Sequence, residues 1–168
     1  MPPQIPATSA GATPPPPSVS VVLPTYNEAG NILDLIDAIE RALATNLLEI
    51  IVVDDNSPDG TWRLVGERAA KDAKVRLLHR TSERGLTTAI QAGIRQARGD
   101  VVCWMDCDFS HPPGTLPRLV ANLDSGYDLV VGSRYVAGAR RADRCSHAGL
   151  DEQGDHEGVE SPPRPELP

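Results

Sequence analysis

Aromatic residues are scarce in this chain, at 4% of its 168 residues, and cysteine occurs three times. The cysteines, at positions 103, 107 and 145, show no Cys-x-x-Cys spacing, which argues against a zinc site and favours free thiols in a reducing compartment. No apolar run exceeds about six residues, whereas roughly 20 are needed to cross a bilayer. The N-terminus lacks the charged and apolar regions of a signal peptide, so a cytoplasmic protein is expected.

An excess of positive charge is also missing, since the formal net charge is −7. A general nucleic-acid binder needs a basic face, so we expect no nucleic-acid partner. The sequence contains neither a G-x-G-x-x-G turn nor a Walker A lysine loop, which argues against a Rossmann dehydrogenase and a P-loop NTPase. A nucleotide held through a metal ion is still compatible with this charge.

Composition divides the chain into three parts. Residues 1–18 contain seven prolines and no charged side chain, and residues 139–168 contain no aromatic residue. Neither end can bury enough apolar surface to offset the entropy of ordering its backbone, so both are predicted to be disordered. The tail 139–168 is interpreted as non-native sequence. The foldable domain is therefore predicted to span residues 19–138.

Within that domain, apolar patterns alternate between strand and helix. Helical spacing of apolar residues is clearest at Ile32, Leu35, Ile36, Ile39 and Leu43. Further helices are predicted over 85–98 and 112–124, and one carrying Trp62, Val65 and Ala69. The helix over 85–98 is expected to have one apolar face, formed by Leu86, Ala89, Ile90, Gly93, Ile94 and Ala97, on which Gly93 permits close packing. Strands are predicted at 19–23 (ended by Pro24), 48–53, 75–78, 101–105 and 128–131. The nearly continuous apolar sequence of 48–53 predicts a central strand covered on both faces, and the apolar run at 101–105 predicts a buried strand. This alternation predicts an α/β fold with a mostly parallel sheet and helices on both faces.

Polar residues follow the ends of the predicted strands. In a parallel sheet these ends meet at one edge, where ligands bind. Asp106 and Asp108 follow the strand at 101–105, and if the chain stays extended their side chains project to the same side. Such a pair is either solvated, paired with basic side chains, or bound to a hard divalent cation such as Mg²⁺ or Mn²⁺.

Five segments together resemble a known family. They are Val-Val-Leu-Pro-Thr-Tyr-Asn-Glu (21–28), Ile-Val-Val-Asp-Asp-Asn-Ser-Pro-Asp-Gly-Thr (51–61), Arg-Gly-Leu (84–86), Met-Asp-Cys-Asp-Phe-Ser-His-Pro-Pro (105–113) and Gly-Ser-Arg-Tyr (132–135). In this order and spacing they resemble family 2 glycosyltransferases, and within them the polyprenol-phosphate (dolichol-phosphate) mannosyltransferases. The resemblance covers about residues 19–138 and implies an incomplete GT-A domain, because the acceptor-side segments of the family have no counterpart after Gly138.

The resemblance implies roles for particular residues. Pro24, Tyr26 and Glu28 are implied to line the nucleotide, and Val53 and Asp55 are implied to lie at its nucleobase. Contacts with the sugar nucleotide and its metal are implied at Asp106, Cys107 and Asp108, with Mg²⁺ or Mn²⁺ on Asp106 and Asp108. The implied catalytic residues are Asp108 and Arg134, the latter facing phosphate.

The function implied by the resemblance is inverting, metal-dependent transfer of mannose from GDP-mannose to a polyprenyl (dolichyl) phosphate. It implies a position peripheral to the cytoplasmic face of a membrane, with an anchoring partner protein or domain. Two alternatives stay open. One is a UDP-glucose-dependent polyprenyl-phosphate glucosyltransferase, since the motifs do not distinguish guanine from uracil. The other is an inactive truncated fragment that at most binds nucleotide or a partner.

Overall fold

The computed structural model describes residues 15–123 and 126–133. In this part of the chain, strands and helices alternate in the order β1 (Val19–Thr25), α1 (Ile32–Ala42), β2 (Leu47–Asp54), α2 (Thr61–Ala69), β3 (Val75–His79), α3 (Leu86–Gln96), β4 (Val101–Trp104) and α4 (Leu116–Leu123). A short 3-10 helix, Pro113–Thr115, leads into α4. The four strands form one parallel sheet in the order β3-β2-β1-β4, so the predicted α/β architecture is confirmed.

Strand β2 is covered on both faces, as its continuous apolar sequence predicted. Ile50 and Val52 belong to the larger core with α1, α2 and α4, while Ile51 and Val53 pack with α3 on the opposite face. Side chains alternate along a strand, so adjacent β2 residues fill two different cores.

Helix α1 contributes more buried residues to the larger core than any other described helix. All four apolar residues predicted to face inward within the helix are fully buried, and Leu43 just after it is 1% exposed. Burial of such side chains is worth roughly 1.5 to 3 kcal/mol each, so packing on the sheet holds this helix in place. The helical spacing thus correctly predicted both the element and its buried face.

Strand β1 does not end at Pro24, contrary to the prediction, because it continues to Thr25 in register with β2. The carbonyl of Val22 accepts a hydrogen bond from Met105, while that of Thr25 accepts one from Asp55. Pro24 therefore turns its missing N–H towards the β4 side, beyond the last β4 pair at Trp104. A proline is tolerated where no neighbouring strand needs its donor.

Helix α3 lies very close to the sheet. A Cβ added to Gly93 would stand 2.3 Å from Cγ1 of Val22, so the expectation that this glycine permits close packing is confirmed. The predicted apolar face is only partly right, since Leu86 and Ile94 are 56% and 45% exposed. Both lie at the margin of the contact, because α3 is the only helix on this face among the described residues.

Strand β4 is an edge strand in the part of the chain that the structure describes. Val102 and Trp104 are 38% and 51% exposed, so the prediction of a fully buried strand was wrong for one of its faces. Their side chains project to the α3 side of the sheet, and α3 packs over β1 and β2 instead. The apolar run signalled a strand but not its place in the sheet.

The predicted fifth strand at 128–131 is also wrong. Residues 126–133 form no strand, and Leu129 and Val131 are 78% and 73% exposed. A strand needs a hydrogen-bonded neighbour, and this segment pairs with none of the four described strands. Apolar residues alone therefore did not determine its conformation.

The amino end of the sheet is closed by a buried carboxylate. Glu49 is fully buried and accepts hydrogen bonds from Ser20, from Arg76 and from both the backbone and the side chain of Arg98. Its burial raises the pKa, but the bonds from the two arginines outweigh burial and lower the pKa to about 2. This cluster ties β2, β3 and the end of α3 together, far from the carboxyl edge.

Ser18, a described residue of the segment predicted to be disordered, is hydrogen-bonded to the folded domain. The backbone N–H and the hydroxyl of Ser18 both donate to the Asp100 carboxylate, at 2.9 and 2.7 Å. The predictions of disorder over 1–14 and 139–168, and the site residue Arg134, lie outside the described residues.

Candidate active site

Loops from all four strands meet at the carboxyl edge of the sheet, because the strands are parallel. Three of these loops each contain a non-glycine residue with a positive φ: Asn27 (63°), Asn56 (56°) and Phe109 (57°). Such backbone conformations are costly and concentrate at functional sites. Asparagine favours this conformation, so the sequence carried a signal at two of the positions, whereas Phe109 carried none.

The loops after β1 and β2 are joined through Asp54. This carboxylate is fully buried and accepts hydrogen bonds from the hydroxyl of Thr25 at 3.1 Å and from the N–H and hydroxyl of Ser57 at 2.9 and 2.6 Å. The Ser57 hydroxyl in turn accepts the N–H of Asn27 at 3.0 Å. Asp54 therefore fixes the shape of both loops and is not available to a ligand.

Asp59, later in the same loop, also fixes the loop conformation through hydrogen bonds. It accepts the N–H of Ala29 and both the N–H and the hydroxyl of Thr61, at 3.0, 3.0 and 2.6 Å. Burial raises the pKa of Asp59, but the bonds from Thr61 and Ala29 outweigh it and lower the pKa below its usual value. The Thr61 hydroxyl also accepts the N–H of Glu28, which sets that residue's backbone at the start of α1.

Asp55, predicted to lie at the nucleobase, accepts hydrogen bonds from other residues of the chain. Arg80 donates from Nε to its Oδ1 at 2.7 Å, and the N–H of Gly85 donates to its Oδ2 at 2.7 Å. Asp55 and Arg80 are only 6% and 8% exposed, so this ion pair is buried. Sequence reasoning missed Arg80, whose only signal was its position directly after β3.

Negative charge gathers on the other side of the edge, around Cys107. Its thiol is buried and donates weakly to the carbonyl of Pro24 at 3.5 Å. Burial raises the pKa of this thiol strongly, and the charges of Glu28, Asp106 and Asp108 raise it further. Three carboxylates, from the loops after β1 and β4, therefore contribute to raising the pKa of the Cys107 thiol.

The Asp-Cys-Asp segment has the alternation expected from the sequence. Asp106 and Asp108 are exposed while Cys107 between them is buried. The Asp108 carboxylate accepts the N–H of Ser110 at 2.9 Å, which turns the loop back after β4. Two exposed carboxylates on the same side of a strand end are chemically suited to a hard divalent cation.

No group of three His, Cys, Asp or Glu residues suited to a metal occurs among the described residues. A cation at Asp106 and Asp108 would thus need oxygen ligands from a bound molecule or water. Phosphate oxygens meet this requirement, so the donor set suits a metal that binds together with a nucleotide.

An open cleft of about 410 Å³ lies on the opposite flank, bounded by the loops after β1, β2 and β3. Its lining residues are Tyr26, Asn56, Ser57, Pro58, Asp59, Gly60, Trp62, Arg63 and Arg84. The guanidinium carbon of Arg84 stands 5.5 Å from the centre of the Tyr26 ring, a cation–π contact. Tyr26 is 49% exposed, which leaves aromatic surface open to a planar ligand.

One wall of this cleft contains aromatic residues that the sequence did not predict to lie there. The Trp62 and His79 rings stack with centroids 4.6 Å apart, and Nε2 of His79 lies 2.9 Å from the side-chain oxygen of Asn56. His79 therefore joins Trp62 and Asn56, two lining residues that are distant from it in the sequence.

The predicted site residues thus occupy one edge of the sheet. Pro24, Tyr26 and Glu28 lie at the end of β1, and the Asp106–Asp108 segment follows β4. Val53 is fully buried in the smaller core, and its carbonyl accepts a hydrogen bond from the Thr25 hydroxyl, so it presents no exposed surface to a ligand.

Comparison with known proteins agrees with this architecture. A family model described as "Glycosyl transferase family 2" matches residues 20–148. The chain is 44% identical over 122 residues to the dolichol-phosphate mannosyltransferase of Pyrococcus furiosus, covering 73% of this chain and 34% of that protein. It is also 44% identical over 122 residues to the polyprenol monophosphomannose synthase of Mycolicibacterium smegmatis, covering 70% and 45%.

Among solved structures, glucosyl-3-phosphoglycerate synthase from Mycobacterium tuberculosis, in complex with Mn²⁺, UDP-glucose and phosphoglyceric acid, superposes with a TM-score of 0.52. The identity is 29%, and the match covers 66% of this chain and 40% of the other. The parallel sheet with helices on both faces defines a GT-A type α/β domain. The chain belongs to glycosyltransferase family 2, and it spans about a third to a half of the length of the relatives it matches.

Among the residues that the structure describes, no helix has the length and apolar character needed to cross a bilayer.

Proposed function

We propose that this chain carries the donor site of an inverting mannosyltransferase that uses GDP-mannose and a polyprenyl or dolichyl phosphate. The observation that carries the proposal is the pair of exposed carboxylates, Asp106 and Asp108, on either side of the buried Cys107 at the carboxyl edge. Carboxylates at one strand end favour a divalent cation, and a diphosphate supplies further oxygen ligands to that cation. The mannosyltransferases at 44% identity support the sugar and the class of acceptor.

Asp106 and Asp108 would hold Mg²⁺ or Mn²⁺. When bound, such a cation neutralises negative charge on the departing diphosphate. The solved relative that contains Mn²⁺ together with a nucleotide sugar supports this assignment. Cys107, packed against Pro24, keeps the two carboxylates on the exposed side of the loop.

The nucleoside is assigned to the flank that contains Tyr26. Its half-exposed ring offers a stacking surface, and Glu28 is placed to accept hydrogen bonds from hydroxyl or amino groups. The Glu28 carboxylate already accepts the side-chain amide of Asn31 at 3.0 Å, which holds it at the start of α1. Pro24 and Val53 are buried beneath the loops of this edge and would support the site from within the fold.

The acceptor chemistry makes few demands on the protein. A lipid monophosphate has a second pKa near 6 and is already nucleophilic at neutral pH, so no side-chain general base is needed. In-line attack on the anomeric carbon then inverts its configuration. Arg134 is assigned to phosphate, where a guanidinium can bind two oxygens at once.

A lipid acceptor requires a membrane surface. We therefore propose a peripheral position at the cytoplasmic face, with attachment supplied by a partner protein or by a further domain. The relatives are two to three times longer than the matched region, which is consistent with such an additional element.

A UDP-glucose donor is the second candidate. It is favoured by the structural relative that binds UDP-glucose, because the sheet edge is shared with that enzyme. The third candidate is nucleotide binding without transfer; the match covers 34% and 45% of the two relatives' lengths.

Calorimetry on the full chain tests the donor site. We expect GDP-mannose to bind in the presence of Mn²⁺ and the affinity to fall at least roughly tenfold in Asp108→Asn, because each 1.4 kcal/mol lost is tenfold. Asp34→Asn, an exposed carboxylate on α1, serves as the matched control and should leave the affinity unchanged.

Equal affinity of wild type and Asp108→Asn would exclude the metal role. Tighter binding of UDP-glucose than of GDP-mannose would favour the second candidate. Transfer of radiolabelled mannose to polyprenyl phosphate separates an enzyme from a binding module, since any product above background rules out the inactive fragment.

A further inference from the structure

Arg80 stands out among the charged residues of the described chain because it is almost fully buried and yet contacts four groups. Besides Asp55, it donates to the carbonyl of Gly85 at 3.2 Å and to the hydroxyl of Thr88 at 3.1 Å, and it lies 3.5 Å from Glu83. All three additional partners belong to the segment between β3 and the first turn of α3. Arg80 therefore fastens this loop to the end of β2.

The same contacts limit what Asp55 can do for a ligand. An ionised carboxylate offers about four acceptor positions. Arg80 occupies two on Oδ1, through Nε and a second guanidinium nitrogen, and the N–H of Gly85 occupies one on Oδ2. At most one position is left, so most of the binding capacity of Asp55 is directed to the loop.

The anchored loop carries Arg84, the neighbour of Gly85. Gly85 has φ 127°, a backbone conformation that side-chain-bearing residues rarely adopt, and it is held from both its N–H and its carbonyl. With Gly85 fixed, the Arg84 guanidinium lies over the Tyr26 ring at 5.5 Å and lines the cleft. That distance is a direct contact, so no ligand layer fits between the two side chains.

We propose that Arg80 is a positioning residue of the nucleotide site: it pairs with Asp55 and holds Gly85 so that Arg84 and Tyr26 form one wall against the nucleobase. The inference rests on the proposed function, since it requires a nucleotide in this cleft. Arg84 would supply donors to carbonyl and ring-nitrogen acceptors on the base edge, and Tyr26 would supply stacking surface.

A double-mutant cycle on the full chain tests this coupling. GDP binding with Mn²⁺ present is measured by calorimetry for wild type, Arg80→Met, Arg84→Ala and the double variant. We expect each single substitution to weaken binding roughly tenfold, as for the loss of one cation–π or charge-assisted contact. The double variant should be scarcely weaker than Arg84→Ala alone, because Arg80 acts through Arg84.

Arg68→Met is the matched control. Arg68 is another partly buried arginine, paired with Asp37, Glu40 and Asp72 between α1 and α2, away from the cleft. Its replacement should lower the urea midpoint of unfolding while leaving the GDP affinity unchanged. A purely structural role of Arg80 would give the same result as this control.

If Arg80→Met does not fold, Arg80→Lys takes its place in the cycle. Lysine keeps a positive charge beside Asp55 but lacks the planar fork that holds Gly85 and Thr88 together. We then expect a partial loss of GDP affinity that disappears in the Arg84→Ala background.

Additive losses, or an Arg80 variant with unchanged GDP affinity, would overturn the positioning role while leaving the proposed function standing. Failure of the wild-type chain to bind either GDP or UDP with Mn²⁺ would overturn both. The two failures are therefore distinguishable in one series of measurements.

Discussion

Replacement of Glu49 by glutamine should destabilise the fold by roughly 2 to 3 kcal/mol at pH 7 and have almost no effect near pH 2. The carboxylate is fully buried, and Arg76 and Arg98 both donate to it, at 2.7 and 2.8 Å. Lowering a pKa from 4.5 to about 2 corresponds to roughly 3 kcal/mol of native-state stability at neutral pH. The expected loss of stability is smaller than this figure because the Arg98 side chain is 64% exposed and water screens its charge.

The direction of the pH dependence follows from the lowered pKa. In the unfolded chain Glu49 takes up a proton near pH 4.5, whereas in the folded chain it does so only near pH 2. The stabilisation is therefore complete above pH 4.5 and is lost as the pH falls from 4.5 to about 2. Glutamine does not ionise, so Glu49→Gln lacks this pH-dependent stabilisation. The free energies of unfolding of wild type and variant should therefore converge in acid.

Urea unfolding followed by circular dichroism, repeated between pH 7 and pH 2, measures this difference. Glu67→Gln, an exposed position on α2, is the control and should follow the wild-type curve. Equal stabilities of wild type and Glu49→Gln at pH 7 would refute the argument, as would a difference that persists unchanged at pH 2.

Three further predictions concern the packing around the site. Gly93→Ala should cost about 1 to 3 kcal/mol in urea unfolding because its methyl group would overlap Val22, whereas Gly114→Ala, with open space at its Cβ, should be nearly neutral; equal effects would contradict the close contact. Iodoacetamide at pH 8 should label Cys107 only after unfolding, because burial and the neighbouring carboxylates raise the pKa of its thiol; rapid labelling of the native chain, located by peptide mass spectrometry, would contradict this. Asp59→Ala should lower stability by about 1 kcal/mol through loss of the bonds at the start of α2, and an unchanged urea midpoint would argue against that role.

Much of the fold could be predicted because its signals are local. The spacing of Ile32, Leu35, Ile36 and Ile39 predicted both α1 and its buried face. The nearly continuous apolar run of β2 predicted a central strand, since a strand covered on both faces has no polar side. The motifs at the strand ends indicated the family, because they describe loops whose shape depends on a few adjacent residues.

The errors arose where a residue's environment depends on distant parts of the chain. The apolar residues of β4 and of segment 128–131 looked like core, yet Trp104, Leu129 and Val131 are largely exposed. Hydrophobicity shows that a side chain favours burial, but the position of its segment in the sheet determines whether anything covers it.

The candidate site divides in the same way. The alternation of Asp106, Cys107 and Asp108 along an extended chain was sufficient to predict two exposed carboxylates on either side of a buried residue, because side chains alternate along a strand. The buried pair of Asp55 with Arg80 could not be read from the sequence, since 25 residues separate them and only the parallel register of β2 with β3 brings their ends together. The sequence by itself therefore determined the chemistry at each strand end, whereas the tertiary structure decided which of those groups remain available to a ligand and which the protein uses to hold its own loops.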